Sequence, residues 1–370
     1  MIRVLHTEWS DGWGGQEIRI INEMLVMRSL GIEVFLACKA QSNIHQEAKK
    51  NGLQVFLLPF GGNLDIFTIF KLLKIIKKFD INIINTHSGK DTWTGGIAAK
   101  LGRIKFIRTR HLSNPINTSR LNFINELADY IITTGETVKN DMILNNRISP
   151  KKIKSIPTGP KEEIFNPLIY DKKECREIFS LEENEIVVGM LAVLRKFKRH
   201  DRFIIMASNL IKTLPDKKFK FLIAGEGPQK ENIRQLIKQY RLSKNVIMLG
   251  HIENQPEFLT AIDLFVLISD SGEGVPQSLI QALMMNKACI STDVGSVSDL
   301  HKDNNFCLLN DFSQNTLNES VINFISDFSS SSKNLINSNQ HIKINFSEKV
   351  MAKKILDIYQ RLLSNENFIN

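Results

Sequence analysis

No apolar run in the sequence approaches the roughly 18 residues that would cross a membrane. The richest stretch, residues 64–84, is broken by Asp65, Lys71, Lys74, Lys77, Lys78 and Asp80. A secretory leader is not expected either, because Met1-Ile-Arg-Val-Leu-His-Thr-Glu8 is too short an apolar stretch and meets an acid too soon. It reads as a first strand. Cysteine is scarce, and Cys38, Cys175, Cys289 and Cys307 form no C-x-x-C pair. Reduced thiols of a cytoplasmic protein are therefore expected, not disulfides or a zinc site. There is no H-E-x-x-H, no D-x-D beside a strand, no Walker A loop and no nucleophile elbow. Their absence removes the common zinc-hydrolase, P-loop and serine-hydrolase chemistries. Neither a divalent metal nor a cofactor is expected, and side-chain cations would serve in a metal's place. Helix-turn-helix, zinc-finger and solenoid-repeat patterns are missing too, so nucleic acid is not an expected partner.

The 370 residues exceed what one core normally holds, so two domains are expected. A hydrophobic content of 42% with 24% charged residues suits a soluble globular chain. The net charge of +9 is unevenly spread: residues 1–167 carry 23 Lys+Arg against 15 Asp+Glu, the remainder 25 against 24. Such a first half suits an acidic partner, an anionic membrane surface or a phosphorylated glycolipid; the plain alternative is lysine solvating helix faces. Residues 64–79 set Leu72, Leu73, Ile75, Ile76 and Phe79 among Lys71, Lys74, Lys77 and Lys78. That is the pattern of a basic amphipathic helix, which lies on a membrane or packs one face on a sheet.

Short β-branched runs alternate with helical patterns from end to end, the pattern of parallel α/β sheets. Strands are expected at 2–6, 33–37, 54–58, 82–85, 105–109 and 130–133, then at 186–193, 219–224, 245–249, 263–268 and 288–291. Two such series imply two doubly wound domains, 1–167 and 168–345, facing a central cleft beyond the strands' carboxyl ends. The Pro-rich segment 155–167 reads as their linker and the serine-bearing segment 327–339 as a loop. A closing helical segment, 346–370, follows.

The motif with the most chemistry is Ser271-Gly-Glu273-Gly274-Val-Pro276-Gln-Ser-Leu-Ile-Gln281. Gly272 and Gly274 permit a sharp turn, Pro276 suits the first turn of a helix, and the helix start offers free amides to hydroxyls or phosphate. Glu273 stands at the mouth of that seat, with Gln281 about one and a half turns into the helix. Elsewhere, polar or glycine-rich segments follow predicted strands: Gly14-Gly15 with Trp9 and Trp13, His87 with Lys90 and Asp91, Arg108-Thr-Arg110-His111-Leu-Ser113, and Arg195-Lys196-Phe-Lys198-Arg199. Polar side chains at strand carboxyl ends face the ligand in this architecture, and His87, Lys90 and Asp91 are assigned to the acceptor side.

Glu273-Gly-Val-Pro…Gln281-Ala, followed by Ala288-Cys-Ile-Ser-Thr-Asp-Val-Gly295, resembles the nucleotide-sugar site of retaining glycosyltransferases of family 4, with the GT-B fold. That family usually has Glu, seven residues, then Glu. Gln281 replaces the second acid, as in a bacterial surface-glycan branch; an amide still hydrogen-bonds a ribose diol but carries no charge. The resemblance implies that Glu273 and His111 work at the donor sugar, that Gly14 and Gly15 face the donor phosphates and the acceptor, and that Gly274 and Gln281 bind the donor. It also implies that Arg195 and Lys198 meet the pyrophosphate, with Lys196 and Arg199 a solvated rim and Arg199 in place of the family's glycine. Gly225 and Gly227 would shape the cleft floor, and Gly250-His251 would meet the base. The implied activity is retaining transfer of a hexose-like sugar from a nucleotide-sugar to a hydroxyl of a bacterial glycan or glycolipid. Lipopolysaccharide core, O-antigen or capsule intermediates are the expected acceptors, at the inner face of the cytoplasmic membrane. The alternatives are a non-catalytic nucleotide- or glycan-binding subunit and a GT-B nucleotide-sugar isomerase.

Overall fold

The structure, a computed structural model, describes residues 1–111, 116, 123–326 and 335–364, without the side chains of 335–339. It divides into two compact units: residues 1–158 with the final helix, and residues 159–347.

The first unit is built on seven parallel strands in the order β3-β2-β1-β4-β5-β6-β7. They are β1 (Arg3–Glu8), β2 (Glu33–Cys38), β3 (Gln54–Leu57), β4 (Ile83–Thr86), β5 (Lys105–Arg110), β6 (Tyr130–Thr133) and β7 (Ile153–Ser155). Helices α1 (Gly15–Ser29), α2 (Asn43–Lys50), α3 (Ile66–Lys78), α4 (Gly89–Leu101) and α5 (Glu136–Asn146) make the crossovers. Because side chains alternate across a strand, neighbours in β1 serve different cores. Val4 packs with Ile20 and Met24 of α1, and Leu5 packs with Leu72 of α3 and Ala98 of α4. The register sets Thr7 beside Thr86 of β4, and Thr86 beside Arg108 of β5, so the carboxyl ends of three strands lie side by side.

The second unit carries six parallel strands in the order β10-β9-β8-β11-β12-β13. These are β8 (Glu185–Leu191), β9 (Lys218–Ala224), β10 (Val246–Gly250), β11 (Leu264–Leu267), β12 (Ala288–Thr292) and β13 (Cys307–Leu309). Its helices are α6 (Lys172–Ile178), α7 (His200–Thr213), α8 (Lys230–Gln239), α9 (Gln255–Ala261), α10 (Gln277–Met284), α11 (Gln314–Ser326) and α12 (Leu335–Phe346). The last helix, α13 (Glu348–Ser364), buries Met351, Ile355, Ile358 and Tyr359 in the first unit's core, and the Tyr359 hydroxyl donates to Glu23 of α1 at 3.2 Å.

Three boundaries differ from the sequence expectation. The first unit ends at Thr158 rather than at 167, since fully buried Arg19 donates to the Ile156 carbonyl (2.7 Å) and to Thr158 (3.2 Å), holding that stretch on the first core. Residues 335–339, expected in a loop, open α12, while 327–334 lie outside the described residues. Phe346 closes α12, and the final helix starts at Glu348. In α3, Leu72 and Ile76 are buried, and Leu73, Ile75 and Phe79 pack against the same core. The exposed apolar side chains of this region are instead Leu64 (68%), Ile66 (66%), Phe67 (60%) and Phe70 (61%). Among the described residues, no helix is long and apolar enough to cross a membrane.

Candidate active site

In the second unit, loops after β8, β11 and β12 converge on Glu273. This carboxylate is 5% exposed and accepts through Oε1 from both Lys198 Nζ and Ser269 Oγ. Ser269 is itself held, because Thr292 at the end of β12 donates to its carbonyl at 2.6 Å. Gly295 has φ +63°, and a Cβ there would lie 1.9 Å from the Glu273 carbonyl oxygen. Glycine is thus required twice at one position, for the left-handed backbone and for the close approach. Gly272 also has φ +71° and faces the Phe197 ring, whereas Gly274 is not among the positive-φ glycines. Pro276 stands one residue before α10 as its N-cap, not within the first turn.

The basic segment after β8 splits into unlike members. The guanidinium of exposed Arg195 has no partner among the described residues. Lys198 is committed to Glu273. Arg199, expected in a solvated rim, has φ +56° and pairs with Asp201 (2.9 Å) and Asp270 (3.2 Å). A left-handed backbone accounts for the glycine that the family usually carries here; a side chain costs about 1–2 kcal/mol, and the two carboxylates offset part of it. Gly225 and Gly227, expected to shape the cleft floor, back this segment: a Cβ would lie 2.0 Å from the Ala192 carbonyl oxygen and 2.7 Å from that of Leu194, respectively. Half-buried Gln281 lies in the second turn of α10 and has no side-chain hydrogen bond among the described residues.

In the first unit, three histidines from adjacent strand ends form a chain. His6 Nδ1 lies 3.0 Å from His87 Nε2, and His87 Nδ1 lies 2.9 Å from His111 Nε2. Burial holds all three neutral: His6 is pushed down to about 3 and His87 well below the ordinary imidazole range. His111 is lowered by burial and then by the guanidiniums of Arg19, Arg108 and Arg110. Asp91, assigned to an acceptor, is fully buried and serves the fold. It accepts from the backbone amides of His87 and Ser88 and from the Thr7 hydroxyl, each at 2.9 Å. Lys90 lies 4.3 Å and Lys39 4.9 Å from the Trp9 ring centroid, so two ammonium groups sit over that ring. His87 is buried in the chain rather than facing an acceptor. Gly14 caps α1 with extended angles (φ −164°), and Gly15 is its exposed first residue, so this turn needs no left-handed backbone. A pocket of about 590 Å³ beside that turn is lined by Asp11, Lys39, Gln41, Leu57, Leu58 and Pro59, none of them predicted.

Residues 171–341 match the family Glycosyl transferases group 1, and residues 13–162 match Glycosyltransferase Family 4. The chain is a glycosyltransferase, and its two halves are similar to these families. It is 25% identical over 321 residues to the UDP-Gal:alpha-D-GlcNAc-diphosphoundecaprenol alpha-1,3-galactosyltransferase of Escherichia coli, covering 82% of each chain. It is 24% identical over 306 residues to the phosphatidylinositol N-acetylglucosaminyltransferase GPI3 subunit of Saccharomyces cerevisiae, covering 78% of this chain and 66% of the yeast protein. Among solved structures, a glycosyltransferase from Rickettsia africae superposes with a TM-score of 0.89 at 19% identity, covering 99% of both chains. Anabaena HepE, solved with UDP, gives 0.84 at 16% identity over 97% of this chain and all of the other. The fold is GT-B, with two Rossmann-like parallel-sheet domains.

Two further groups of this glycosyltransferase lie outside the residues singled out from its sequence. Glu8, at the end of β1, is buried and accepts from Ser10 N (2.7 Å), Ser88 Oγ (2.7 Å) and Gln16 Nε2 (2.5 Å). Burial first, then the Asp91 charge, pushes its carboxyl up to about 8. His6 extends the histidine chain inward. Their only sequence signal is a pair of polar residues at alternating positions near the end of an apolar strand, a pattern that satisfied core residues share.

Proposed function

We propose that this glycosyltransferase is a retaining enzyme that moves a hexose-type sugar from a nucleotide-sugar to a hydroxyl of a lipid-linked bacterial surface glycan. The observation that carries this reading is the pinned Glu273, a carboxylate held by Lys198 and Ser269 on a turn that only Gly295 permits, with exposed Arg195 unpaired among the described residues. A fixed carboxylate can orient sugar hydroxyls, and a free guanidinium can neutralise charge developing on a departing diphosphate. The names of similar proteins support the substrate classes. The E. coli relative is a galactosyltransferase named for a GlcNAc-diphosphoundecaprenol, HepE was solved with UDP-glucose, and WaaB is a lipopolysaccharide outer core galactosyltransferase. An acceptor on a lipid would place the protein at the inner face of the cytoplasmic membrane. His111 meets the donor sugar in this reading, and Gly14, Gly15, Gly274 and Gln281 approach the donor.

Gln281 in place of the family's second Glu favours one rival, a nucleotide-binding subunit without turnover. A panel of UDP-, GDP- and other nucleotide-sugars, read as released nucleoside diphosphate with lipid-linked glycan extract, separates the two. Transfer with an α-donor giving an α-product is expected, and it should persist in EDTA because side-chain cations serve the diphosphate. Binding of the nucleotide without release from any donor would favour the rival. Activity lost in EDTA and restored by Mg²⁺ or Mn²⁺ would overturn metal independence. Arg195→Ala should weaken nucleoside diphosphate more than nucleoside in calorimetry, and equal losses would remove Arg195 from the phosphate.

A further inference from the structure

The chain His6–His87–His111 has a property that no single histidine has. Each of its two ring–ring hydrogen bonds needs one proton between two nitrogens. Three neutral rings carry three ring protons, so two protons occupy the bonds and the third sits at one end. Only two arrangements satisfy this count. In the first, His6 donates from Nδ1 to His87, His87 donates from Nδ1 to His111, and His111 keeps its proton on Nδ1. In the second every bond is reversed, which leaves a bare Nδ1 on His111 and puts a proton on His6 Nε2.

The inner end decides between them. His6 Nε2 is fully buried and has no hydrogen-bond partner among the described residues. A proton there would be a donor stranded in the interior, which folded proteins avoid more strictly than an idle acceptor. At the outer end, the half-buried His111 has no partner for Nδ1 among the described residues. The rings are also held in place: His6 and His87 lie edge to edge and nearly coplanar, with 5.2 Å between centroids and 12° between planes, and the His87 and His111 centroids lie 5.2 Å apart. We propose that His6 and His87 are positioning residues that lock His111 as a neutral imidazole with its Nδ1–H outward, a hydrogen-bond donor to an oxygen of the sugar donor. This rests on the reading that His111 meets that donor. The groups bearing on the chain favour neutrality throughout, since Arg19, Arg108 and Arg110 all repel a second proton on His111. A neutral donor of fixed direction orients an oxygen without delivering a proton, whereas a free histidine would divide its time between tautomers.

The test is two-bond ¹H–¹⁵N correlation spectroscopy of the full chain with labelled histidine and no ligand. Wild type should show His111 protonated at Nδ1 and bare at Nε2 between pH 6 and 8. In His6→Leu the pattern should become a mixture of tautomers, and kcat/KM for transfer should fall about tenfold. His6→Asn, whose side-chain amide places an N–H near the lost Nδ1, should restore the wild-type pattern and most of the turnover. A wild-type His111 protonated at Nε2, or at both nitrogens, would overturn the proposal, as would an unchanged pattern and turnover in His6→Leu. Because the spectrum is read without substrate, a locked His111 in a protein that releases no nucleoside diphosphate would count against the transferase reading and not against the lock.

Discussion

Glu273 gains its position from two donors and one glycine, and each contact can be removed alone. Glu273→Gln keeps an oxygen for Lys198 and Ser269 but loses the charge, while Glu273→Ala loses both. Charge-assisted hydrogen bonds contribute about 1.5–3 kcal/mol, so the alanine variant should turn over roughly 10- to 100-fold more slowly than wild type, with the glutamine variant in between. A folded Glu273→Ala protein with full turnover would remove the residue from the chemistry. Gly295→Ala tests the same carboxylate from behind. Its Cβ would meet the Glu273 carbonyl oxygen at 1.9 Å, so the turn must move. The left-handed backbone alone costs about 1–2 kcal/mol, and turnover should fall while Glu273 remains intact. Unchanged melting and turnover in Gly295→Ala would show that the turn is not tightly held.

At the scale of elements, α3 carries the clearest consequence. Its lysine-flanked apolar row, read from sequence as facing a membrane or a sheet, includes Leu72 and Ile76, which belong to the core. The exposed apolar group lies at and just before the helix start, at Leu64, Ile66, Phe67 and Phe70, with Lys71 folded over the Phe67 ring at 4.3 Å. Lys74, Lys77 and Lys78 remain exposed along the rest of the helix. Burying one such side chain fully contributes about 1.5–3 kcal/mol, and each lysine near an anionic surface about 1 kcal/mol. Binding to phosphatidylglycerol-containing vesicles is therefore expected to drop with rising salt. It should also drop in Phe67→Ser/Phe70→Ser and in Lys74→Glu/Lys77→Glu/Lys78→Glu. If the wild-type protein fails to sediment with such vesicles at low salt, α3 is a solvated face and the acceptor is met in solution.

Over the whole molecule, buried ionisable groups shape stability against pH from both sides. His6 and His200, at about 3 and about 4, and His87 and His111, well below the ordinary range, stay neutral in the fold. Unfolding returns them to about 6.5, so the unfolded chain binds the extra protons and stability is lost as pH falls below 6.5. Glu8 runs the other way. Its folded value of about 8 lies above the unfolded 4.5, so the folded state holds the extra proton and stability is lost as pH rises from 4.5 through 8. Urea midpoints of the first unit's transition should accordingly decline from pH 6.5 to 8 in wild type, and less in Glu8→Gln. A flat wild-type profile over that range would show that Glu8 is ionised in the fold.

The alternation of apolar runs and helical patterns determined, from the sequence alone, two parallel α/β domains and most element positions, because burial on both sheet faces writes long β-branched runs into the chain. The glycine-bearing turn around Glu273 was legible for a similar reason: local turn chemistry needs particular residues at particular spacings. What escaped were short or polar elements, β7, β13, α2, α6, α11 and the start of α12, whose patterns are too brief or too weak to declare themselves. The tertiary structure alone decided which polar residues are partners. Thr7 meets Asp91 across 84 positions, Lys198 meets Glu273 across 75, and His6 meets His87 across 81. Those separations carry no periodic signal. The strand order that sets β1 beside β4, and β8 beside β11, brings the carboxyl ends of distant segments to one place, and buried polar groups there must find each other or remain unpaired.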